Sequence, residues 1–358
     1  MIRWIFVAGG FLFVTAFGRL GESEARQSGY LFYVASESED EVTLLRFAPG
    51  EGLTIQKTIT VGVFPAETEA PHGIFLDPTG SHWYLTLGHG FPFGSLWKYA
   101  TGADTVVGRI ELGLFPSTVA VSPMGGLVFV VNSNFHGDLL PSTVSIVDLE
   151  SMIEIERTET CTMPHGSRFN ADGSKHYSTC MVDDQLVELD VAMLEVARRL
   201  DLTPPAGSDG VAGVCSPTWA MPTWAGDYVY VACNRSDEVV EVRIEDWSIQ
   251  RRLRAPTGPY NLAVTPDDAR IVVTQKGSGA VTVWDRQSGE RIAFIPSTRK
   301  VTHGVTVTPD SRYAFISVEA IGGERGAVDV IDLQELRKVA TADVGKQAGG
   351  IAFWKTVN

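Results

Sequence analysis

The feature that most constrains this chain is a repeat of 42 to 53 residues with a recognisable opening. Each copy starts with Pro-x-Gly or a close variant, runs into a short apolar strand, turns at a polar dipeptide and enters a second β-rich strand. It reads Pro71-His72-Gly73-Ile74-Phe75-Leu76-Asp77-Pro78, then Pro164-His165-Gly166-Ser167-Arg168-Phe169-Asn170, then Thr302-His303-Gly304-Val305-Thr306-Val307. Weaker copies start at Pro116, Pro217 and Pro259, and a truncated one closes the chain at Ala348-Gly349-Gly350-Ile351-Ala352-Phe353. A period of this length with four β segments per unit predicts a β-propeller. In the second unit the segments are His72–Pro78, Trp83–Leu87, Ser95–Tyr99 and Val106–Leu112. Apolar and polar residues alternate in Thr143-Val144-Ser145-Ile146-Val147-Asp148, as half-buried strands require.

Seven units can be counted. The first, around Leu31–Val34 and Val42–Phe47, lacks an inner strand, while Gly350–Trp354 is an inner strand with nothing after it. The expectation is therefore an all-β, seven-bladed propeller of four-stranded blades. Its C-terminal strand completes the first blade and closes the ring, leaving no strongly exposed sheet edge.

Segments such as Val128-Phe129-Val130-Val131-Asn132, Tyr228-Val229-Tyr230-Val231-Ala232-Cys233-Asn234 and Val328-Asp329-Val330-Ile331-Asp332-Leu333 resemble the YVTN-type seven-bladed propellers of exported bacterial proteins. The resemblance covers nearly all of the expected mature chain. It implies the fold but no single activity, because that family includes enzymes, binding proteins and surface proteins.

Met1-Ile2-Arg3-Trp4-Ile5-Phe6-Val7-Ala8 opens a positive region and an apolar stretch to Phe17. That is the layout of a secretory signal, with cleavage after Gly18 or Ala25; an uncleaved anchor is the competing reading. The expected organisation is a signal peptide over 1–25 and a propeller over 29–358, periplasmic or secreted, with no membrane span after cleavage. The formal net charge of −14 disfavours nucleic acid and anionic membranes as partners.

The slot after the opening proline or threonine holds histidine in three units and Ser117, Thr218, Tyr260 or Gly349 in the others. Inner strands begin on the face to which the second strands return. His72, His165 and His303 therefore share one end of the channel with His89 and His136, which follow second strands. His82 and His176 open second strands at the opposite face.

Imidazoles converging from several blades can surround one ion without a contiguous motif. A nitrogen-rich set in an oxidising compartment suits copper, with zinc as competitor, rather than the oxygen-seeking magnesium or calcium. The copper propeller of nitrous oxide reductase and the copper-dependent methanethiol oxidases related to selenium-binding proteins also carry histidines around a channel. That distant resemblance implies only a copper-capable mouth. The competing reading is that the histidines are ordinary polar loop residues.

Glu319 is a candidate oxygen ligand or general base, with a solvated loop carboxylate as its competitor. Arg168, Arg235, Tyr260, Lys276 and Trp219 are placed by the repeat near the same face, where an organic anion could sit. Arg168 and Tyr260 are thus further catalytic candidates. Propeller sugar lactonases offer another enzymatic precedent, but no carboxylate pair stands at repeat positions here. No nucleophile elbow, phosphate loop or zinc-protease helix occurs.

Cys161 and Cys215 precede inner strands, and Cys180 and Cys233 end the following second strands. In an exported chain this predicts the disulfides Cys161–Cys180 and Cys215–Cys233; soft ligation of copper by Cys161 and Cys180 is the alternative. Two functions of different class follow. One is an exported propeller with a histidine-bound metal that oxidises a small molecule. The other is a non-catalytic scaffold contacting a protein, peptide or small ligand, with Pro204–Gly213 and Ile321–Gly326 as contact loops.

Overall fold

The computed structural model describes Met1 and residues 29–64, 66–89, 93–206 and 213–357. The expected signal segment and residues 207–212 of the first contact loop lie outside them. The described chain forms seven four-stranded antiparallel sheets. The inner strands of blades 2 to 7 are Pro71–Leu76, Pro116–Val121, Pro164–Phe169, Pro217–Pro222, Pro259–Val264 and Thr302–Val307. Blade 1 takes its inner strand from the C-terminus, Ala348–Val357, which pairs antiparallel with Gly29–Ser36. The register sets Val34 opposite Ile351 and Phe32 opposite Phe353, so the ring closes as the truncated repeat predicts.

The core is distributed rather than central. Buried apolar clusters lie between successive blades, as in Tyr33, Val42, Trp83 and Leu85 between blades 1 and 2. At the closing junction Phe32 stacks on Phe315 with centroids 4.1 Å apart. Burial at the blade junctions leaves the channel walls free to vary.

Two recurring devices deliver each inner strand into the channel. The residue before the opening position is left-handed in several blades: Ala70 (φ 54°), Phe115 (47°), Met163 (54°), Ser216 (46°) and Gln347 (55°). Such a conformation costs a non-glycine residue free energy and persists only where surroundings enforce it. Aspartates of the preceding blade supply part of that enforcement. Asp40 accepts from the amides of Glu69 and Ala70, Asp184 from those of Cys215 and Ser216, and Asp237 from that of Gly258. Each clamp ties one blade's strand turn to the entry of the next inner strand.

Both expected disulfides are present, which removes the cysteines from any ligand set. They are less alike than their spacing suggests. Cys161 belongs to the outermost strand of blade 3, Ile153–Thr162, so its bond to Cys180 staples two blades together. Cys215–Cys233 closes the entry of blade 5 upon its own second strand.

Candidate functional site at the histidine mouth

His72, His165 and His303 come from blades 2, 4 and 7, separated around the ring by two, three and two blades. No choice of three blades from seven is more even. The three side chains are buried, with exposures of 7%, 0% and 4%. The His72 ring lies 6.0 Å from that of His165 and 5.8 Å from that of His303, centroid to centroid.

Their orientation has a local cause. His72 Nδ1 lies 3.0 Å from the carbonyl oxygen of Ser117, and His165 Nδ1 lies 2.7 Å from that of Thr218. Each acceptor occupies the equivalent slot of the next blade. His303 Nδ1 faces Gly349 in the same sense, without a hydrogen bond of standard geometry. Because a carbonyl only accepts, Nδ1 of His72 and His165 carries a proton, so in the neutral ring the lone pair sits on Nε2.

The glycine after each histidine belongs to the same device. A Cβ on Gly73, Gly166 or Gly304 would stand 2.3, 2.4 or 2.6 Å from the carbonyl oxygen of Ser117, Thr218 or Gly349 respectively. Only glycine lets the neighbouring strand approach closely enough to present that carbonyl to the histidine. The His-Gly dipeptide is therefore one unit, a signal present in the sequence whose meaning lies in the packing.

Burial holds His165 and His303 neutral. The His165 pKa falls to about 3, chiefly by desolvation and then by the neighbouring His72. Desolvation also pushes His303 well below its ordinary value, with Lys276, His72 and His165 adding to the shift.

Tyr260 of blade 6 fills the widest gap, its hydroxyl 3.5 Å from His165 Nε2 and its ring centre 4.7 Å from that of His303. Glu319 is not a solvated loop carboxylate. Its side chain is 13% exposed, and Oε1 lies 3.3 Å from His303 Nε2 and 3.0 Å from Lys276 Nζ. Desolvation raises the Glu319 pKa, and Lys276 opposes that rise. Lys276 also lies over the Tyr260 ring, 4.3 Å from its centre.

The five histidines do share one end of the channel, but they form two layers. His89 and His136 are exposed, with their Nε2 atoms 3.3 Å apart. Phe115 lies between the layers, its ring centre 5.8 Å from His72, 5.4 Å from His89 and 5.1 Å from His136. Phe135 packs 4.9 Å from Phe115 and 5.5 Å from His165. Neither phenylalanine stands out in the sequence, because both lie in loops beside the repeat positions. Among the described residues no three His, Cys, Asp or Glu side chains stand in ready-made metal-holding geometry.

Arg168 departs from expectation. It stands three residues down the inner strand from His165, on the far side of the histidine layer. There it lines both a void of about 30 Å³, shared with His72, His303, Trp219 and Asn261, and a wide funnel at the opposite mouth. Arg235 is exposed on the loop after the second strand of blade 5. Among the other histidines, His82 bonds Asp77 and His176 is enclosed by Phe129 and Phe169.

No family model matches the sequence, and no curated protein does. Among solved structures the chain is similar to Kuenenia stuttgartiensis hydrazine synthase, at 19% identity and a TM-score of 0.65, over 81% of this chain and 93% of that one. It is also similar to a Bacteroides fragilis protein described as a candidate 6-phosphogluconolactonase, at 12% identity and a TM-score of 0.69, over 92% and 98% of the two chains. At these identities the likeness shows the fold alone, a β-propeller.

Proposed function

We propose that this mouth is a metal centre of an exported, YVTN-type propeller, in which Nε2 of His72, His165 and His303 holds copper and a small molecule undergoes redox chemistry. The carrying observation is the anchoring of Nδ1 of His72 and of His165 on the next blade's carbonyl, which makes Nε2 the lone-pair nitrogen of each neutral ring. That is the outer-shell arrangement that orients histidine ligands in metal sites.

The donor set suits the ion in charge, and His72 lies near ligand spacing from both His165 and His303. Metal–nitrogen bonds of about 2.0–2.1 Å place imidazole centres roughly 5–5.5 Å apart around one ion, so an inward shift of less than about 1 Å brings rings 5.8–6.0 Å apart into range. Three imidazoles add no negative charge, and Glu319 is offset by Lys276. The cost of burying an ion grows with the square of its charge, which favours copper(I) over zinc(II) in such a site. Bound there, copper would supply a one-electron couple and an open coordination position.

The chain's own residues do the rest. Tyr260 fills the gap between His165 and His303, Lys276 and Glu319 fix a compensated charge pair beside His303, and Phe115 and Phe135 exclude water. His89 and His136 offer an outer pair of nitrogens, at the separation of two tetrahedral ligands with bonds of about 2.0–2.1 Å. Two disulfides support an oxidising compartment, and so a periplasmic or secreted location.

Metal content of protein purified without tag or chelator tests the reading. About one copper per chain is expected, lost in the His72→Ala/His165→Ala double variant at unchanged fold. Zinc in copper's place would redirect the chemistry to hydrolysis or structure. No metal after reconstitution, or full retention by the double variant, would leave a non-catalytic binding propeller as the better account.

A further inference from the structure

The opposite mouth carries a second departure from the repeat. The fifth position of each inner strand holds Ala352, Phe75, Ala120, Met221, Ala263 and Thr306 in six blades, and Arg168 in blade 4. These residues meet at the floor of a funnel of about 1100 Å³, to which all seven inner strands or their exits contribute. Its wall is largely apolar, with Phe353 and Trp354 above the floor.

Arg168 has no counter-ion there. Among the described residues its guanidinium makes one hydrogen bond, Nη1 to the carbonyl oxygen of Ser167 at 2.8 Å, and lies within salt-bridge distance of no carboxylate. It rests over the rings of Trp219 and Phe75, 4.7 and 5.2 Å from their centres. A guanidinium has five N–H donors, so this packing leaves most of them without a protein partner. Burial lowers its pKa to about 10, which still leaves it charged at neutral pH. The funnel's own carboxylate, Asp77, is engaged by His82, Thr79 and Ser81 at the rim.

A half-buried cation with most of its donors unpartnered, at the floor of a largely apolar cavity, suits a ligand of opposite charge. We propose that the funnel is a binding site for a small organic carboxylate with a bulky apolar body. The carboxylate accepts the paired N–H groups of Arg168, and the body lies against Phe75, Met221, Phe353 and Trp354. The volume is at the upper end for a small-molecule site, which suits a fused-ring or similarly broad body. Paired hydrogen bonds to a planar guanidinium favour a carboxylate over a point-like halide. The inference does not rest on the metal reading, because the two mouths lie on opposite sides of the histidine layer.

The test compares two fluorescent probes with one apolar body, 1-pyrenebutyrate and uncharged 1-pyrenebutanol, by anisotropy titration of metal-free full-length protein. Saturable binding of pyrenebutyrate is expected, at least tenfold tighter than that of pyrenebutanol. Arg168→Met should remove that preference, and Arg168→Lys should restore part of it. The His72→Ala/His165→Ala variant should bind both probes as the parent does. No saturable binding of pyrenebutyrate, equal affinity for the two probes, or a preference that survives in folded Arg168→Met would overturn the proposal. Loss of the preference in the histidine variant would also overturn it, by placing the anion at the other mouth.

Discussion

Replacing His176 with leucine should stabilise the protein, and the gain should grow as pH falls. His176 is fully buried, 4.9 Å from the Phe129 ring and 5.0 Å from that of Phe169, and neither ring nitrogen has a partner. At pH 8 the imidazole is neutral in folded and unfolded chains alike. Removing its unsatisfied nitrogens should then gain about 1–3 kcal/mol, less about 0.5–1.5 kcal/mol for lost aromatic contacts. The balance is about 1 kcal/mol.

Below pH 6.5 the unfolded chain takes up a proton that the folded chain refuses, because burial, aided by the charge of Arg168, lowers the folded pKa to about 3. Stability therefore falls with pH through this group by about 1.36 kcal/mol per unit, or about 2 kcal/mol at pH 5. The leucine variant escapes that loss, so its advantage should widen to about 3 kcal/mol. His165 also titrates low, but it is common to both proteins and cancels in the difference. Urea unfolding at pH 8 and pH 5 with disulfides intact measures both quantities. An advantage that is the same at the two pH values would refute the protonation argument, and a destabilised variant at pH 8 would refute the claim that the nitrogens are unsatisfied.

Three further outcomes follow from the same packing. Cys215→Ala/Cys233→Ala should cost about 2–4 kcal/mol, read as a lower urea midpoint than the parent's under oxidising conditions. Asp184→Ala removes the acceptor for the Cys215 and Ser216 amides and should cost about 2–4 kcal/mol, while Asp184→Asn should recover part of the loss in the same assay. Glu319→Gln should keep copper stoichiometry but weaken affinity, by removing the carboxylate charge beside His303 Nε2; an unchanged affinity by competition with a chelator would place Glu319 outside the site.

The repeat made the blades, their order and the closure legible because each unit repeats the same burial problem and solves it with the same pattern. Strand bounds move by only a residue or two: the inner strand of blade 2 starts at Pro71 rather than His72. The face shared by the histidines was legible from connectivity. Their division into two layers was not, because ring direction is set by carbonyls 45 and 53 residues away in the next blade. Arg168 was assigned to the histidine mouth, yet a strand advances about 3.3 Å per residue, so three positions carry it about 10 Å deeper. The Lys276–Glu319 pair joins blades 6 and 7 across 43 residues, and no local pattern announces it.

Low histidine pKa values do not by themselves mark a site. His165 and His176 are both held near pKa 3, one anchored through Nδ1 at the channel and the other idle among phenylalanines. What separates them is departure from the repeat at a channel-facing position, and the inner strand of blade 4 carries two such departures. Gly166 lies between them in packing terms. A Cβ there would stand 2.4 Å from both Thr218 O and Trp219 Cε3, pressing at once on the acceptor of His165 and on the ring beneath Arg168. Gly304 meets Gly349 O at 2.6 Å, Ser317 Oγ at 2.8 Å and Ile351 Cγ2 at 3.0 Å, and presses on no residue that touches Arg168. Both alanine variants should lose about 1–3 kcal/mol through overpacking. Gly166→Ala should weaken copper and pyrenebutyrate binding together, whereas Gly304→Ala should weaken copper binding alone. If Gly166→Ala folds and retains both affinities, the close approach of blade 5 does not organise either mouth, and the His-Gly unit has no functional meaning.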